Sequence, residues 1–427
     1  MELIADLHIH SKYSGATSQK MNLAQLAEFA EMKGLDILGT GDALHPLWIE
    51  ELKRELEEFD DGLYRLKNKE IYFITQVEVA TVHRFNEKSR RIHHVILMPS
   101  LEVAKQLSDM LKNYGDVESD GRPVLSMKPS ELVELVMELD SSNIVFPAHI
   151  WTPWWSMLGA FSGVDHIKEC YEDMVKHIYA VETGLSSDPP MNWRVSWLDD
   201  YNLVSFSDSH SPYPYRIGRE AVVFNLSKPS YKEVLEAIRN KGSGKISMTI
   251  EVPPEYGKYH WSGHRNCGFG PVEPREAKRL NYLCPVCRKR FTKGVDDRVD
   301  ELADRPRDYS PDKSIGYVHL IPLQELIALS MGLDIESESK LNSVKVWREY
   351  EKLVKRFGSE FKILLKTPEE EIEKIGGKNI AEIISNMRSG RLKIIPGYDG
   401  VYGRLIIDRG EKKDVSKKFT KLEDYLK

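Results

Sequence analysis

The sequence predicts an α/β barrel, followed by a small metal-stapled module and a C-terminal helical region. Three observations predict it. Short apolar runs alternate with amphipathic stretches through the first 250 residues, the pattern of strand–helix units around a mostly parallel sheet. Seven or eight such runs favour closure into a barrel. Histidines and carboxylates gather where the runs end, and the C-terminal ends of barrel strands are where active sites are built. Strands are predicted over 4–8, 37–40, 71–77, 94–97, 144–147, 178–181, 203–206 and 221–224. Helices are predicted over 23–33, 101–111, 129–139 and 231–240.

Composition narrows the class. The chain has 427 residues, 41% hydrophobic and 30% charged, which fits a soluble protein of two or three domains with a charged surface. A net charge of -6 gives no overall nucleic-acid signal, so any such signal is local. No apolar run is long enough to span a bilayer, and Met1-Glu2-Leu3-Ile4-Ala5-Asp6 is not a signal peptide, so a cytoplasmic, membrane-free protein is expected. Three of the four cysteines fall within 267–287, which suits a clustered metal site better than a disulfide framework. The expected domains are 1–250, 256–300 and 314–410, with a polar linker over 296–313 and a charged tail over 411–427.

The first run ends in Asp6-Leu7-His8-Ile9-His10. Alternate strand residues share a face, so His8 and His10 project together with Asp6 behind them. Paired imidazoles suit zinc, iron or manganese; alone, such a pair is weak evidence and reads more readily as two satisfied surface histidines. Its companions favour a site: Gly39-Thr40-Gly41-Asp42 with His45 close by, Val77-Glu78-Val79, His93-His94, Pro147-Ala148-His149 and Ser207-Asp208-Ser209-His210.

These motifs, in this order over residues 1–225, resemble the PHP (polymerase and histidinol phosphatase) family of phosphoesterases. The resemblance implies a distorted (β/α)7 barrel holding up to three zinc ions, with magnesium or manganese as alternatives for turnover. It implies one ion among His8, His10, Glu78 and Asp208, and a second shared by Glu78 with His94 and His149. His210 and Asp42 would hold a third. The family usually has Thr-Asp-His where this chain has Thr40-Gly41-Asp42, which leaves His45 as a competing ligand. Adjacent divalent ions activate water and clamp the oxygens of a phosphate. Glu78, Asp208 and His210 are therefore the expected catalytic residues.

His264-Arg265-Asn266-Cys267 and Cys284-Pro285-Val286-Cys287 are two ligand pairs, each with a two-residue gap, the spacing of a structural zinc module. His260 competes with His264, but His264 mirrors the second pair better. Cys170 stands apart and reads as core. Lysines and arginines outnumber carboxylates in this module, and Arg288, Lys289 and Arg290 are candidate contacts to a phosphate backbone. Further on, 371–390 reads as two helices joined at Gly376-Gly377. In the loop Pro396-Gly397-Tyr398-Asp399-Gly400-Val401-Tyr402-Gly403, Tyr398 and Tyr402 are candidates for base stacking, against a plain packing role.

The order barrel, zinc module, helical region, with Lys258-Tyr259-His260-Trp261-Ser262-Gly263-His264, Cys284-Pro285-Val286-Cys287 and the loop 396–403, is similar across nearly the whole chain to the archaeal endonuclease Q family. That likeness implies a DNA-repair endonuclease cutting 5′ of uracil, hypoxanthine and abasic sites and leaving 3′-hydroxyl and 5′-phosphate ends. Trp151, Trp154 and Trp155 are candidate walls for a flipped base. Leu422, Tyr425 and Leu426 in the tail resemble the anchors of a sliding-clamp-binding peptide. A small-molecule phosphatase of the histidinol-phosphate kind is the alternative, and a non-catalytic DNA-binding protein is a third class.

Overall fold

The computed structural model describes residues 1–60 and 62–406. Seven strands form a ring: β1 (Glu2–Asp6), β2 (Ile37–Gly39), β3 (Tyr72–Phe85), β4 (Lys88–Met98), β5 (Ile144–Pro147), β6 (Ala180–Glu182) and β7 (Asn202–Val204). β1 pairs with β2 and β2 with β3 in parallel. β4 runs antiparallel to both β3 and β5. A bridge from Val145 to Ile178 leads to the parallel pair β6 and β7, and a bridge from Ile9 to Ser209 returns to β1. Ala5, Leu7, Ile74, Val95, Phe146, Val204 and Phe206 are buried together in one apolar cluster. From β1 the sheet extends outward through β8 (Ala221–Asn225), β9 (Ile246–Glu251) and β10 (Gly316–His319).

The predicted helices appear at Leu23–Lys33, Leu101–Leu111, Pro129–Leu139 and Tyr231–Arg239. Local chemistry sets their ends. Asn22 caps the first by accepting from the Gln25 amide, and Gly34 closes it at φ 95.

The hairpin of β3 and β4 departs from expectation. Both strands are longer than their predicted counterparts, and Asn86 and Glu87 form the turn at φ 50 and 61, the left-handed pair that suits strand twist. Because β4 runs against its neighbours, its beginning lies at the end of the ring where β3 leaves it. That explains how a histidine of β4, His93, joins groups from strand ends.

The region expected as a linker instead starts with a helix, Val295–Leu302, whose Val295 and Val299 are buried against the ring side. Helices follow at Leu323–Ser330, Val344–Phe357, Glu369–Gly376 and Lys378–Arg388, the last two hinged at Gly377 as predicted. Their apolar residues, including Leu326, Tyr350, Leu353 and Ile384, share one buried cluster with Ile9, Leu23, Leu26 and Ala30. The helical region thus shares a core with the ring. Among the described residues no helix is long and apolar enough to cross a membrane. The expected clamp-binding segment with Leu422, Tyr425 and Leu426 lies outside the described residues.

Candidate metal centre

The alternation of β1 carries past Asp6 to His8 and His10, both fully buried. They meet Glu78 from β3 and Asp208 from the segment after β7. His10 Nε2 lies 3.1 Å from Asp208 and 3.4 Å from Glu78. His8 Nε2 lies 3.6 Å from Glu78 and 3.7 Å from Asp208. The donor atoms of these four residues all fall within 4.8 Å of one another. A second group joins Glu78 to His93 at 2.6 Å and to His149 at 3.1 Å. Glu78 belongs to both, as a carboxylate bridging two ions would.

These residues fit divalent ions. Imidazole and carboxylate are the donors such ions take. His8 Nε2 is buried with no hydrogen-bond partner, a vacancy a metal–nitrogen bond would fill. Burial pushes the Glu78 carboxyl up, but His93, His10, His149 and His8 outweigh it and hold it well below the usual range. Asp208 follows the same pattern, with burial outweighed by His10, His8 and His210. His149 and Asp208 adopt φ 30 and 47, a strained region for residues with a side chain, as is common at working sites.

Carboxylates behind the imidazoles fix their tautomers. Glu182 lies 3.0 Å from His8 Nδ1 and accepts from the His149 amide at 2.7 Å. Asp42 lies 3.0 Å from His10 Nδ1 and accepts from the Ser11 amide and hydroxyl. Glu182 was missed in the sequence, although it directly follows the predicted strand 178–181.

Several expectations need correction. His94 is not beside Glu78. It pairs across the hairpin with Val79, on the opposite face, and its ring meets Thr81 Oγ1 at 2.8 Å and Tyr171 OH at 2.9 Å. Burial pushes its pKa down to about 3, so it is a neutral core histidine. His93 is the histidine of this pair that lies beside Glu78. His93→Ala should weaken binding of the second ion by at least about 100-fold. His94→Gln should keep the metal content and cost about 1–3 kcal/mol of stability through unpaired neighbours. Competition with a chromophoric chelator, beside denaturant unfolding, measures both.

Asp42 and His210 do not complete a third group among the described residues. Asp42 serves His10, and a Cβ on Gly121 would sit 2.4 Å from its carboxyl carbon, so that glycine leaves it room. The His210 ring lies 4.4 Å from that of His10, tilted by 49°, with Nδ1 3.0 Å from the Asp208 carbonyl. His45 packs on Tyr13 at 4.4 Å and precedes the helix Pro46–Glu55.

A separate group forms as the spacing predicts. Donor atoms of His264, Cys267, Cys284 and Cys287 lie within 4.8 Å of one another. The cysteines pack with a small core of Phe269, Val272, Ala277 and Phe291. His260 is buried outside this group, and Cys170 is core.

A family model described as the MJ0043 C-terminal domain matches residues 322–391. The uncharacterized protein YqxK of Bacillus subtilis (strain 168) is 30% identical over 426 residues, spanning 95% of this chain and 99% of that protein. The uncharacterized protein MJ0043 of Methanocaldococcus jannaschii is 32% identical over 279 residues, 64% of this chain and 33% of that protein. The crystal structure of the lesion-specific endonuclease PfuEndoQ from Pyrococcus furiosus matches at TM-score 0.84 and 33% identity, covering 98% of this chain and 99% of that one. Endonuclease Q in complex with a 27-mer duplex carrying an abasic lesion matches at TM-score 0.85 and 34% identity, covering 97% and 100%. The chain belongs to the endonuclease Q family.

In this endonuclease Q family member a cleft of about 790 Å³ opens over His93, His149, Asp208 and His210. Four cations that sequence reading missed line it: Arg122, Arg216, Arg219 and Lys258. Arg122 lies 3.4 Å from Glu78. Trp154 and Trp155 line the cleft, and Trp154 stacks on Phe161 at 5.1 Å. Trp151 is core instead, its indole N–H donating to Asn192. Tyr402 stands in the cleft beside Arg216 and Lys258. Tyr398 has the packing role: a Cβ on Gly263 or Gly270 would collide with its ring. Arg288, Lys289 and Arg290 are exposed on the cysteine module and are not among the residues lining the cleft.

Behind β6 and β7, Glu220 and Glu251 are fully buried on either side of Ser205, whose hydroxyl lies 3.0 and 2.8 Å from them. Burial pushes the Glu251 carboxyl up from its ordinary value of 4.5 to about 8. A raised carboxyl stabilises the fold fully below its unfolded value, and this contribution is lost as pH rises through about 8. Glu251→Gln, which mimics the protonated form, should therefore gain about 2 kcal/mol over the parent at pH 8 and little at pH 5. Urea unfolding at the two pH values measures the difference.

Proposed function

We propose that this protein is a metal-dependent DNA endonuclease that cuts the phosphodiester 5′ of deaminated bases, uracil and hypoxanthine, and of abasic sites. The observation that carries the reading is the whole-chain likeness to endonuclease Q bound at an abasic lesion, in a chain whose Glu78 joins two metal-ligand groups beneath a cationic cleft. The ring is read as a PHP-type barrel. Zinc is the ion its histidine-rich groups favour, with magnesium or manganese as substitutes in turnover, and the cysteine group is read as structural zinc.

His8, His10, Glu78 and Asp208 would hold one ion, and Glu78, His93 and His149 the other. Bound there, the ions would supply an activated water and neutralise charge on the phosphate. The chain's own residues do the rest. Arg122, Arg216, Arg219 and Lys258 draw the backbone into the cleft, a salt-sensitive attraction. Asp208 and His210 stand at the cleft floor, where they can orient the attacking water and hold its proton. Trp154, Trp155 and Tyr402 offer faces on which an unstacked base can rest, which favours lesions with weakened pairing.

The test is nicking of end-labelled duplexes carrying one uracil, one hypoxanthine or one abasic site, beside an intact duplex and a phosphate monoester. Cutting just 5′ of each lesion with 3′-hydroxyl and 5′-phosphate ends supports the reading. Monoester hydrolysis without nicking would make the protein a small-molecule phosphatase.

A further inference from the structure

Between Asp208 and Arg219 the chain leaves the ring, runs along the C-terminal helices and returns. One carboxylate ties its stem: Asp6 accepts from the Ser207 amide at 3.0 Å and the Gly218 amide at 2.8 Å. Lys33 ties its middle. The ammonium donates to the Pro214 carbonyl at 2.7 Å and pairs with Glu360 at 2.7 Å, both side chains being buried. Glu360 also accepts from the Leu323 amide at 3.0 Å and the Tyr350 hydroxyl at 2.9 Å. The Lys33 stem lies against Gly218 (φ +59), where an added Cβ would sit 3.1 Å from Lys33 Cγ. The helices touch the same segment at other points. Asn342 donates to the Tyr215 hydroxyl at 3.0 Å, and Glu338 pairs with Arg216 at 3.3 Å.

A buried ion pair is a poor source of stability, because removing two charges from water offsets their attraction. What this one supplies is fixed geometry: every partner of Lys33 and Glu360 has one place to stand. The segment it clamps carries a metal-facing carboxylate at one end and two cleft guanidiniums at the other.

We propose that Lys33 and Glu360 are positioning residues that couple the C-terminal helices to the Asp208–Arg219 segment, so that the helical region sets the geometry of the metal centre. The inference rests on the metal-centre reading above, and it assigns the helices a role in shaping the active site.

The test is the double variant Lys33→Met/Glu360→Gln in the full chain. The amide oxygen still accepts from the Leu323 amide and its N–H2 can donate to the Tyr350 hydroxyl, so the fold is expected to hold, while the clamp on Pro214 is lost. Cobalt(II) is titrated by its visible absorption, and single-turnover nicking, affinity for intact DNA and melting temperature are measured alongside. Cobalt affinity and nicking rate should each fall about 10-fold. DNA affinity and melting temperature should stay near the parent's. Parental cobalt affinity and nicking rate would overturn the proposal, as would a lowered melting temperature with unchanged cobalt affinity. Should the double variant not fold, Asn342→Ala/Glu338→Gln cuts the more exposed tethers. It should lower both readings about threefold, and parental values there would equally overturn the proposal. A parent that binds cobalt but nicks nothing would defeat the endonuclease reading and leave the cobalt comparison to decide this one.

Discussion

Glu78→Gln is expected to slow nicking of an abasic duplex by about 1,000-fold or more, close to 4 kcal/mol of barrier at 1.36 kcal/mol per decade. Glu78 is the one residue common to both ligand groups, within 3.6 Å of His8, His10, His93 and His149. The amide keeps the side chain's size, so packing should survive. It removes the negative charge that the surrounding histidines and Arg122 are arranged to meet, and it turns an N–H2 toward one ion position. Both ions should bind more weakly and drift from their spacing. Far-ultraviolet circular dichroism should match the parent, while metal content after dialysis falls. Glu182→Gln, one bond further out behind His8, should cost less, about 10–100-fold. Equal losses in the two variants would contradict the bridging role.

Cys284→Ser should be the most damaging single change outside the ring. Structural zinc in modules of this kind contributes roughly 10–16 kcal/mol of apparent binding energy at neutral pH, and that energy is folding energy. The module's own core has only a few apolar residues, too few to hold it without a staple. The damage should reach the cleft. Trp261 donates its amide to the Gly397 carbonyl, and Asp399 accepts from the Arg265 amide and the Thr292 hydroxyl. Those bonds seat the loop 396–403, and with it Tyr402. The expected outcome is rapid proteolysis within 256–300 and loss of lesion preference, with the ring's metals retained. Limited proteolysis and metal analysis of the same sample check both.

Much of this was legible in the sequence because the informative residues are local. His8 and His10 share a face by strand alternation, and Ser207-Asp208-Ser209-His210 follows an apolar run. Asn22, Gly34, Ser100 and Ser230 mark helix ends by their own chemistry. The spacing of the histidine and cysteine pairs predicts the four-residue group whose donor atoms the fold brings within 4.8 Å of one another. Other features depend on what the fold brings together. Choosing His94 over His93 is an error of one residue, and in a strand one residue is the other face. The reversal of β4 could be inferred only by seeing Asn86-Glu87 as a hairpin turn, and that pair lacks the usual glycine. Arg122, Arg216, Arg219 and Lys258 are scattered along the chain, so no basic run announced the cleft. Asp42 occupies a ligand's place in the motif, and only the fold shows its carboxylate 3.0 Å from His10 Nδ1.

The most direct measurement is single-turnover nicking of a duplex with one abasic site by protein stripped with chelator, then titrated with zinc, manganese or magnesium. The metal-bridged account predicts no cutting in the stripped protein, recovery on adding ions, a cut immediately 5′ of the lesion, and no comparable recovery in Glu78→Gln. Full cutting by the stripped protein, or equal recovery in Glu78→Gln, would contradict it.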